Sequence, residues 1–136
     1  MKLTHTTIED TEQLTEWIQA DPYHQDCLNP EWWFTGNGLL SFCIQDSKPI
    51  VYCRVDVEHP RLRLHCQFGP VSEVSRFRVV KALTWGIPVM QHLARQNNLT
   101  GLVYQSVSPS LIQFMQIKFG FVPIDNNDYL LEFREE

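Results

Sequence analysis

The sequence predicts one α+β domain with a mixed, mostly antiparallel central sheet flanked by helices. Strand-like segments at residues 39–45, 50–58 and 61–68 follow one another through short turns, which is typical of antiparallel neighbours. A helical pattern at residues 75–96 then separates this meander from another strand, and such a crossover makes the two strands it joins parallel. The length of 136 residues, with 43% hydrophobic and 20% charged residues, suits a single globular domain over residues 1–136.

Composition excludes several classes of function. A formal net charge of -5 argues against binding to nucleic acid or to an anionic membrane surface. No apolar run is long enough to span a membrane, and residues 1–6 lack the apolar core of a signal peptide. We therefore expect a cytoplasmic protein.

The cysteines and the loop at residues 23–27 indicate no metal site. Cys27, Cys43, Cys53 and Cys66 form no C-x-x-C pair, so we expect reduced and mostly buried thiols. The loop carries metal-type ligands, but their spacing fits no mononuclear zinc pattern. These residues are Tyr23, His24, Asp26 and Cys27.

The amino-terminal third predicts an edge strand and two helices. Residues 2–6 form the strand, and Thr7 with Asp10 forms a capping box for a helix that ends at Asp21-Pro22. Its buried stripe is Leu14, Trp17 and Ile18. A short second helix begins at Asn29-Pro30-Glu31. Its residues Trp32, Trp33 and Phe34 either pack in the core or line a pocket.

The third strand of the meander, residues 61–68, has two chemically different faces. Leu62, Leu64, Cys66 and Phe68 share one face, and Arg63, His65 and Gln67 share the other. The helix that follows carries an apolar side formed by Val79, Val80, Leu83, Ile87 and Leu93. Gly86 and Pro88 interrupt that pattern, which predicts a kink or two separate helices.

The carboxy-terminal unit reads as strand, capped helix, glycine stop and strand. Residues 102–104 form the first strand, and Ser108-Pro109 begins a helix with one apolar face. That face is Leu111, Ile112, Met115 and Phe119. Gly120 ends the helix in the left-handed conformation. Residues 129–133 form the last strand, which we expect to be an exposed edge through which a homodimer could pair.

This order of elements resembles the GNAT superfamily of N-acetyltransferases. The similarity covers nearly the whole chain and is strongest over residues 108–121, with their polar start, amphipathic helix and Gly120-Phe121 ending. The segment Thr7-Ile8-Glu9-Asp10 is similar to the way many chains of the family begin. Phe68-Gly69-Pro70 lies where the family often has an apolar residue and a proline just before its cofactor loop. The resemblance implies a V-shaped splay between the two central parallel strands, which would hold the pantetheine arm of acetyl-CoA or another acyl-CoA.

The resemblance implies a set of cofactor-binding residues at the end of the third meander strand, at the start of the helix that follows it, and at the start of the last helix. These are Gln67, Phe68, Gly69, Arg76, Arg78, Val79, Val80, Lys81 and Ser108. The family's phosphate loop reads Q/R-x-x-G-x-G/A, whereas residues 75–81 of this chain contain no glycine. The cations there either face a pyrophosphate at the helix start or form the exposed face of an amphipathic helix. Ser108 either contacts the cofactor or only caps its helix.

Acyl transfer to an amine needs a base, and the resemblance implies a site for one on the polar face of residues 61–68. His65 is the expected base, assisted through a water by Asp56 or Glu58, although a strand histidine is often only a hydrogen-bonded surface residue. Many family members place an acidic tyrosine where this chain has Gln116. Tyr104 or Tyr129 could take its place, although Tyr104 is also suited to packing in the sheet.

Two functional hypotheses follow. The first is an acyl-CoA-dependent N-acyltransferase in which an amine of a small molecule or protein attacks the thioester directly. The second is a catalytically inactive module of the same fold that binds a ligand or partner. The retained order of elements and the cations of residues 75–81 favour the first, whereas the absent glycines and Gln116 favour the second.

Overall fold

The computed structural model describes residues 1–24 and 29–133. In this part of the chain, short 3-10 turns at Ile8–Asp10 and Pro30–Trp33 accompany three α-helices and seven strands. The helices are α1 (Thr11–Ala20), α2 (Arg76–Gln96) and α3 (Pro109–Phe119). The strands are β1 (Lys2–His5), β2 (Leu40–Gln45), β3 (Pro49–Glu58), β4 (Arg61–Phe68), β5 (Gly101–Gln105), β6 (Val122–Pro123) and β7 (Asp128–Glu132).

The strands form one mixed sheet in the order β1-β2-β3-β4-β5-β7-β6. All neighbours are antiparallel except β4 and β5, which confirms the predicted fold class and the parallel pair. β1 lies at one edge, as expected. The prediction that the last strand is an exposed edge is wrong, because β7 lies between β5 and the two-residue strand β6. The chain doubles back after α3 and places β6 outside β7.

The two faces of the sheet are covered by different elements. On the first face, Tyr52 of β3 packs edge-on against Trp17 of α1, and its hydroxyl donates to Asp10 before that helix. On the second face, α2 passes so close to the sheet that Gly86 lies against the side chain of Ile44 in β2. Because side chains alternate along a strand, the polar residues of β4 face α1 and its apolar residues face α2.

The ends of α1 and α3 follow the capping predictions in part. Thr7 and Asp10 form the predicted capping box at the turn that leads into α1. Gly120 ends α3 in the left-handed conformation, with φ 85°. Ser108 occupies the position before α3, but its side chain makes no capping hydrogen bond, so the prediction of a side-chain cap there is wrong. The first-turn proline fixes the helix start without it.

α2 is one continuous helix, so the alternative of two separate helices is wrong. Pro88 is exposed, and so is Thr84, whose carbonyl loses its intrahelical partner to the proline ring. Water can satisfy a carbonyl on that side, which lets the helix continue. The core side is formed by Ala82, Leu83, Gly86, Ile87, Met90 and Ala94. Val80, which the periodicity placed on this side, is exposed.

The parallel pairing of β4 with β5 is very short. It joins Arg61 to Gly101, Leu62 to Leu102 and Arg63 to Val103, and then stops. β4 continues to Phe68 while pairing only with β3, and β5 continues to Gln105 while pairing only with β7. The two strands therefore diverge after Arg63, which confirms the predicted splay.

An ion-pair cluster closes the narrow end of this splay. The Arg63 guanidinium binds both carboxylate oxygens of Glu58 on β3, at 2.6 and 3.0 Å. It also binds both oxygens of Asp128 at the start of β7, at 2.9 and 3.0 Å. Arg63 thus ties β4 to strands on either side at the last residue before the strands part. The same contact lowers the pKa of Asp128.

We expect Arg63→Met to weaken the fold in a pH-dependent manner. Removal of this partly exposed bidentate network should lower the free energy of unfolding at pH 7 by about 1 kcal/mol. Because the pKa of Asp128 is lowered in the folded state, its contribution is present above its unfolded pKa of about 4 and is lost as the pH falls below it. Urea denaturation at several pH values should show the two proteins converging in acid.

Arg61→Met is the matched control. Arg61 lies two residues earlier on β4 and forms one ion pair, 3.6 Å long, with the exposed Glu132. Its replacement should change the free energy of unfolding by less than about 0.5 kcal/mol. Equal losses for the two variants at neutral pH would contradict the special role of Arg63.

Candidate active site

A histidine–carboxylate pair lies on the α1 face of the sheet beside the splay. His65 of β4 stands directly opposite Arg54 of β3, and its Nε2 lies 3.1 Å from Oδ2 of Asp56. Both side chains are partly accessible, at 31% for His65 and 26% for Asp56. The pair is therefore reachable from solvent on the face opposite α2.

Burial lowers the pKa of His65 below its ordinary value. The nearby Asp56 carboxylate opposes this effect, while the positive charges of Arg63 and Arg54 add to it. Desolvation is the largest influence, so the imidazole is held neutral near pH 7. A neutral imidazole beside a carboxylate that can stabilise its protonated form can accept a proton.

Arg54 holds Asp56 in place, and the sequence interpretation did not single it out. Its Nε donates to Asp56 Oδ1 at 3.1 Å, and its Nη1 donates to the carbonyls of Trp32 and Thr35. Only 7% of this arginine is exposed. A charged residue in the middle of a strand rich in Val and Tyr was the available signal, because arginine is rarely buried without a dedicated partner.

The aromatic triplet of residues 32–34 divides between the core and the site. Trp33 is buried, whereas Trp32 is 37% exposed. The Trp32 ring packs edge-on against the His65 ring, with centroids 4.9 Å apart, and the Arg54 guanidinium lies 4.2 Å from its centroid. Trp32 therefore forms one wall beside His65, and Trp33 anchors the 3-10 turn.

Glu58 is placed differently from Asp56. Its carboxylate is engaged by Arg63, as described above, at the narrow end of the splay. Asp56 is the carboxylate that contacts His65. The two carboxylates that were predicted to assist the base therefore contact different cations in different parts of the sheet.

The open edge of β4 presents main-chain groups to the splay. The Thr6 amide donates to the Ser41 carbonyl between β1 and β2. Main-chain groups alternate in direction along a strand, and carrying this alternation through the registers of β2, β3 and β4 turns those of Leu64, Cys66 and Phe68 toward β5. In the described chain, no strand pairs with this edge beyond Arg63.

Gln67 is turned away from the splay. By the same alternation its main-chain groups face β3, and its side chain is buried against α1. The side-chain nitrogen donates to Asp21 Oδ2 at 3.1 Å, and the oxygen lies 2.7 Å from His24 Nδ1. These contacts explain Gln67 as a link between β4 and the end of α1. Its neighbour Phe68 does face the splay through its main chain.

The amino end of α2 lies just beyond β4 and carries few free cations. Ser75 caps the helix by accepting a hydrogen bond from the Arg78 amide at 3.3 Å. The Arg78 guanidinium binds both oxygens of Asp46 in the β2–β3 turn, at 2.9 and 2.7 Å. The Lys81 amine lies 5.1 Å from the Phe77 ring centroid. Among the described residues, Arg76 has no ion-pair partner and is exposed.

The residues at the family's glycine positions differ in burial. Val79 is half-buried, while Val80 is 41% exposed. Phe77, between the two arginines, is 70% exposed. The helix start therefore presents apolar side chains as well as cations to solvent.

Gly69 is required by close packing at the end of β4. A Cβ atom there would lie 2.6 Å from a Val74 methyl carbon and 2.9 Å from the Trp17 ring. Trp17 also donates from Nε1 to Glu73 Oε2 at 3.1 Å. Gly69 thus lets the loop before α2 pack against α1, and this packing sets the position of the α2 amino end.

Three positions that the sequence analysis related to the cofactor or to a catalytic acid remain: Ser108, Gln116 and Tyr104. The Ser108 hydroxyl has a long contact of 3.4 Å with the Ser110 hydroxyl and is half-exposed. Gln116 is exposed on α3. Tyr104 is buried and stacks on Tyr129, with centroids 5.4 Å apart.

Neither metal ligation nor membrane insertion is indicated within residues 1–24 and 29–133. No group of three or more His, Cys, Asp or Glu side chains there could hold a metal ion. No helix in those ranges is long and apolar enough to cross a membrane. Asp26 and Cys27, part of the loop considered above, lie outside the described residues.

Solved structures of GNAT acetyltransferases share this fold, whereas no family model and no curated protein matches the sequence. A GNAT-family acetyltransferase from Staphylococcus aureus Mu50 has a TM-score of 0.70 at 15% identity, over 98% of this chain and 99% of that chain. The PaiA N-acetyltransferase from Thermoplasma acidophilum, solved with coenzyme A, has a TM-score of 0.59 at 15% identity, over 95% of both chains.

A third structure extends the comparison to a complex with an acceptor. An aminoglycoside acetyltransferase solved with coenzyme A and kanamycin has a TM-score of 0.60 at 13% identity, over 96% of this chain and 93% of that chain. At these identities the likeness is one of fold. The chain has the GNAT fold along nearly its whole length.

We expect Gly69→Ala to destabilise the protein by overpacking. The added methyl group meets a buried valine and a buried tryptophan ring, so the free energy of unfolding should fall by about 1–3 kcal/mol. Urea denaturation would measure the loss. Gly120→Ala is the control, because no atom outside residues 119–121 lies within 4 Å of its Cβ position.

At Gly120 only the left-handed backbone opposes the change, at about 1 kcal/mol. In the Gly69→Ala protein, the further change Val74→Ala should restore part of the lost free energy of unfolding. In the Gly120→Ala protein, the same further change should restore none of it. Equal behaviour of the two pairs would show that crowding at Gly69 is not the cause.

Proposed function

We propose that this chain is a GNAT superfamily N-acyltransferase that moves an acetyl or other acyl group from acyl-CoA to an amine of a small molecule or protein. The observation that carries the proposal is the position of the His65–Asp56 pair beside the open edge of β4. A base next to an unpaired strand edge, in the fold shared with acetyltransferases solved with coenzyme A, suits direct attack of an amine on a bound thioester.

The donor would be held by the splay and the amino end of α2. The pantetheine arm carries amide groups that can pair with the main chain of Cys66 and Phe68, as a strand added to a sheet edge would. The pyrophosphate would lie at the start of α2, where free amide hydrogens and the helix dipole favour an anion. Arg76 and Lys81 are the cations available there, and Ser108 borders the opposite side.

His65 would act as the general base on the acceptor side. As the amine nitrogen bonds to the thioester carbonyl carbon, its proton passes to the imidazole and the carbon–sulfur bond breaks with its electron pair on sulfur. Asp56, fixed by Arg54, would orient the imidazole and stabilise its charged form. Trp32 would line the acceptor pocket. We leave Glu58 out of the catalytic pair because Arg63 engages its carboxylate.

A non-catalytic module that binds a ligand or partner is the second candidate. It is favoured by the bidentate pairing of Arg78 with Asp46, which occupies a cation that would otherwise face a phosphate. The exposed valine at residue 80 and Gln116 on α3 point the same way. Under either candidate we place the protein in the cytoplasm. A homodimer formed by edge pairing would have to use β1 or β6.

Acetyl-CoA should raise the thermal unfolding midpoint of the protein. A ligand that binds only the folded state stabilises it by RT ln(1 + [L]/Kd), so a clear shift is expected at millimolar acetyl-CoA. Arg76→Gln should weaken binding by about threefold to tenfold, because it removes a cation that faces the pyrophosphate. Thermal-shift titrations of both proteins would measure the two dissociation constants.

Arg95→Gln provides a control at the other end of the same helix, about 28 Å from Arg76 at 1.5 Å per residue. It removes the same charge and should leave the acetyl-CoA affinity unchanged. If the wild-type midpoint does not move with acetyl-CoA or with a longer acyl-CoA, the acyltransferase proposal fails. Equal losses of affinity in the two variants would move the phosphate site away from the α2 start.

Replacement of His65 should abolish most turnover without affecting donor binding. His65→Gln keeps a hydrogen-bonding group near Asp56 but removes the base, so the rate should fall by about 100-fold to 10,000-fold. The affinity for acetyl-CoA should stay within about twofold, since His65 faces the acceptor side. The rate is followed as thiol release from acetyl-CoA with the best acceptor found in a panel of primary amines.

The pH profile separates a base from a merely structural histidine. A base must be neutral, so activity should fall in acid through a pKa below the ordinary 6.5, because burial lowers the pKa of His65. Asp56→Asn removes a charge that raises this pKa and should move the acid limb to still lower pH. His92→Gln, at an exposed site on α2, is the control. An unchanged rate in His65→Gln would remove His65 from the mechanism.

A further inference from the structure

Two cysteines lie side by side on the α2 face of the sheet, next to the splay. Cys53 of β3 stands directly opposite Cys66 of β4, and their Sγ atoms are 3.8 Å apart. Both thiols are free and share a hydrogen bond. Cys43 of β2, the other cysteine in the described part of the chain, donates its thiol to the main-chain carbonyl of Ile44 instead. The close thiol pair is therefore a feature of β3 and β4 alone among the described strands.

The register of the two strands suits a disulfide bond at this pair. The main-chain groups of Cys66 face β5, as described above, so Cys53 and Cys66 form a non-hydrogen-bonded pair of the ladder. The Cα atoms of such a pair are about 4.5 Å apart. Disulfide-bonded cysteines have Cα atoms roughly 4.4–6.8 Å apart and sulfurs about 2.05 Å apart. Rotation of the two side chains can therefore join the sulfurs while the strands keep their pairing.

The two thiols differ in their access to solvent. Cys53 is 1% exposed, whereas Cys66 is partly exposed. Burial raises the pKa of the Cys53 thiol, and its hydrogen bond with Cys66 adds to this effect. Because the thiolate is the reactive form of cysteine, Cys53 is protected from reagents in solvent. Cys66 is the thiol that can react first, and Cys53 is the neighbour that can react with its product.

We propose that Cys53 and Cys66 are a site of reversible oxidation, at which a hydroperoxide converts the two thiols to a cross-strand disulfide bond. This inference does not depend on the proposed function. In the first step the Cys66 thiolate attacks a peroxide oxygen and the oxygen–oxygen bond breaks. Cys66 becomes a sulfenic acid, and the other oxygen leaves as an alcohol, or as water when the oxidant is hydrogen peroxide.

The second step joins the two sulfurs. The Cys53 sulfur attacks the Cys66 sulfur, the sulfur–oxygen bond breaks, and the hydroxyl leaves with the Cys53 proton as water. Overall, two thiols lose two electrons and two protons, and the hydroperoxide gains them. The separation of 3.8 Å between the sulfurs favours this step over further oxidation of Cys66, because the reacting atoms are already in contact.

The disulfide should be easily reduced again. The Cα separation of a non-hydrogen-bonded pair lies at the lower limit for disulfides, so the bond would form with strain. Strained disulfides are reduced more readily than relaxed ones. Such a bond suits a protein that we place in the cytoplasm, where disulfides are mostly transient.

The disulfide would fasten the part of β4 that borders the splay. Beyond Arg63, β4 has β3 as its only neighbour in the sheet within the described chain. Cys66 lies three residues past Arg63, in the middle of this part. A covalent link to Cys53 would therefore hold the open edge of β4 against β3. It would also restrict the unfolded chain between the two cysteines, which stabilises the folded state.

Peptide mapping after treatment with hydrogen peroxide tests the proposal. Every protein carries Cys27→Ser, because Cys27 lies outside the described residues and could compete. The protein should lose the mass of two hydrogen atoms and regain it with dithiothreitol. Trypsin cuts between the two cysteines, for example after Arg54, so the disulfide should appear as two peptides linked through Cys53 and Cys66. Cys43→Ala is the matched control and should give the same linked peptides.

Single variants separate the roles of the two thiols. In Cys53→Ala, oxidation of Cys66 should stop at the sulfenic acid, which dimedone captures as a stable adduct. In Cys66→Ala, peroxide should leave the buried Cys53 unmodified. If either variant does not fold, the linked peptides of the parent protein decide the question. Oxygen addition at Cys66 without linked peptides in the parent protein, or a link through Cys43, would overturn the proposal.

Thermal unfolding tests the effect on β4. The oxidised protein should unfold at a midpoint about 3–10 °C above that of the reduced protein, given the short loop that the bond closes. The midpoint of Cys66→Ala should not respond to peroxide. An oxidised midpoint equal to or below the reduced one would overturn the fastening of β4. These measurements use no coenzyme A, so their outcome is separate from that of the acyltransferase proposal.

Discussion

The three-residue pairing between β4 and β5 is the constraint on which the rest of the structure depends. Arg63 stands at the last of these pairs and binds carboxylates on both sides of β4. Because the strands are held together there, their divergence beyond it leaves main-chain groups of β4 facing an open gap. β3 and β7 keep each strand in the sheet on its outer side, so the gap does not unravel the fold.

Most cations of the site are already engaged, and this limits what a ligand can use. Arg54 is committed to Asp56 and to two carbonyls, Arg63 to two carboxylates, and Arg78 to Asp46. Such pairs fix positions but add little free attraction for an anion. Phosphate binding would therefore draw on Arg76, Lys81 and the amides at the start of α2, while the splay supplies neutral hydrogen bonds. Donor affinity should rest more on the main chain of β4 than on charge.

The sequence was sufficient for the fold but not for the assignment of each residue. The meander, the parallel crossover and the left-handed Gly120 follow from periodicity and turn chemistry, which act within short segments. The continuity of α2 through Pro88 depended on which side of the helix faces water, and the place of β7 depended on tertiary pairing. Neither is encoded in a local pattern.

The site could be predicted only where alternation along a strand decides it. His65 and Asp56 lie on the same face because side chains alternate along the two paired strands. The register between β3 and β4, which a short turn connects, makes them diagonal neighbours. Gln67 has the same parity as His65, yet α1 covers it and takes its hydrogen bonds. Parity gives the face of the sheet, whereas the covering helix decides which residues on that face stay accessible.

The glycine-free start of α2 is better understood as a differently built loop than as a damaged one. The family pattern brings phosphate close through small residues, whereas here Gly69 allows Val74 and Trp17 to pack together and fix the loop by apolar contact. The small residue that the family pattern has beside the phosphate is in this chain required at the end of β4 instead. Under the proposed function, Phe77 and Val80, which are exposed beside Arg76, would keep a bound phosphate farther from the helix amides. A donor held less firmly at its phosphates would then depend more on the groups around its thioester, on the side of the sheet where His65 lies beside the splay.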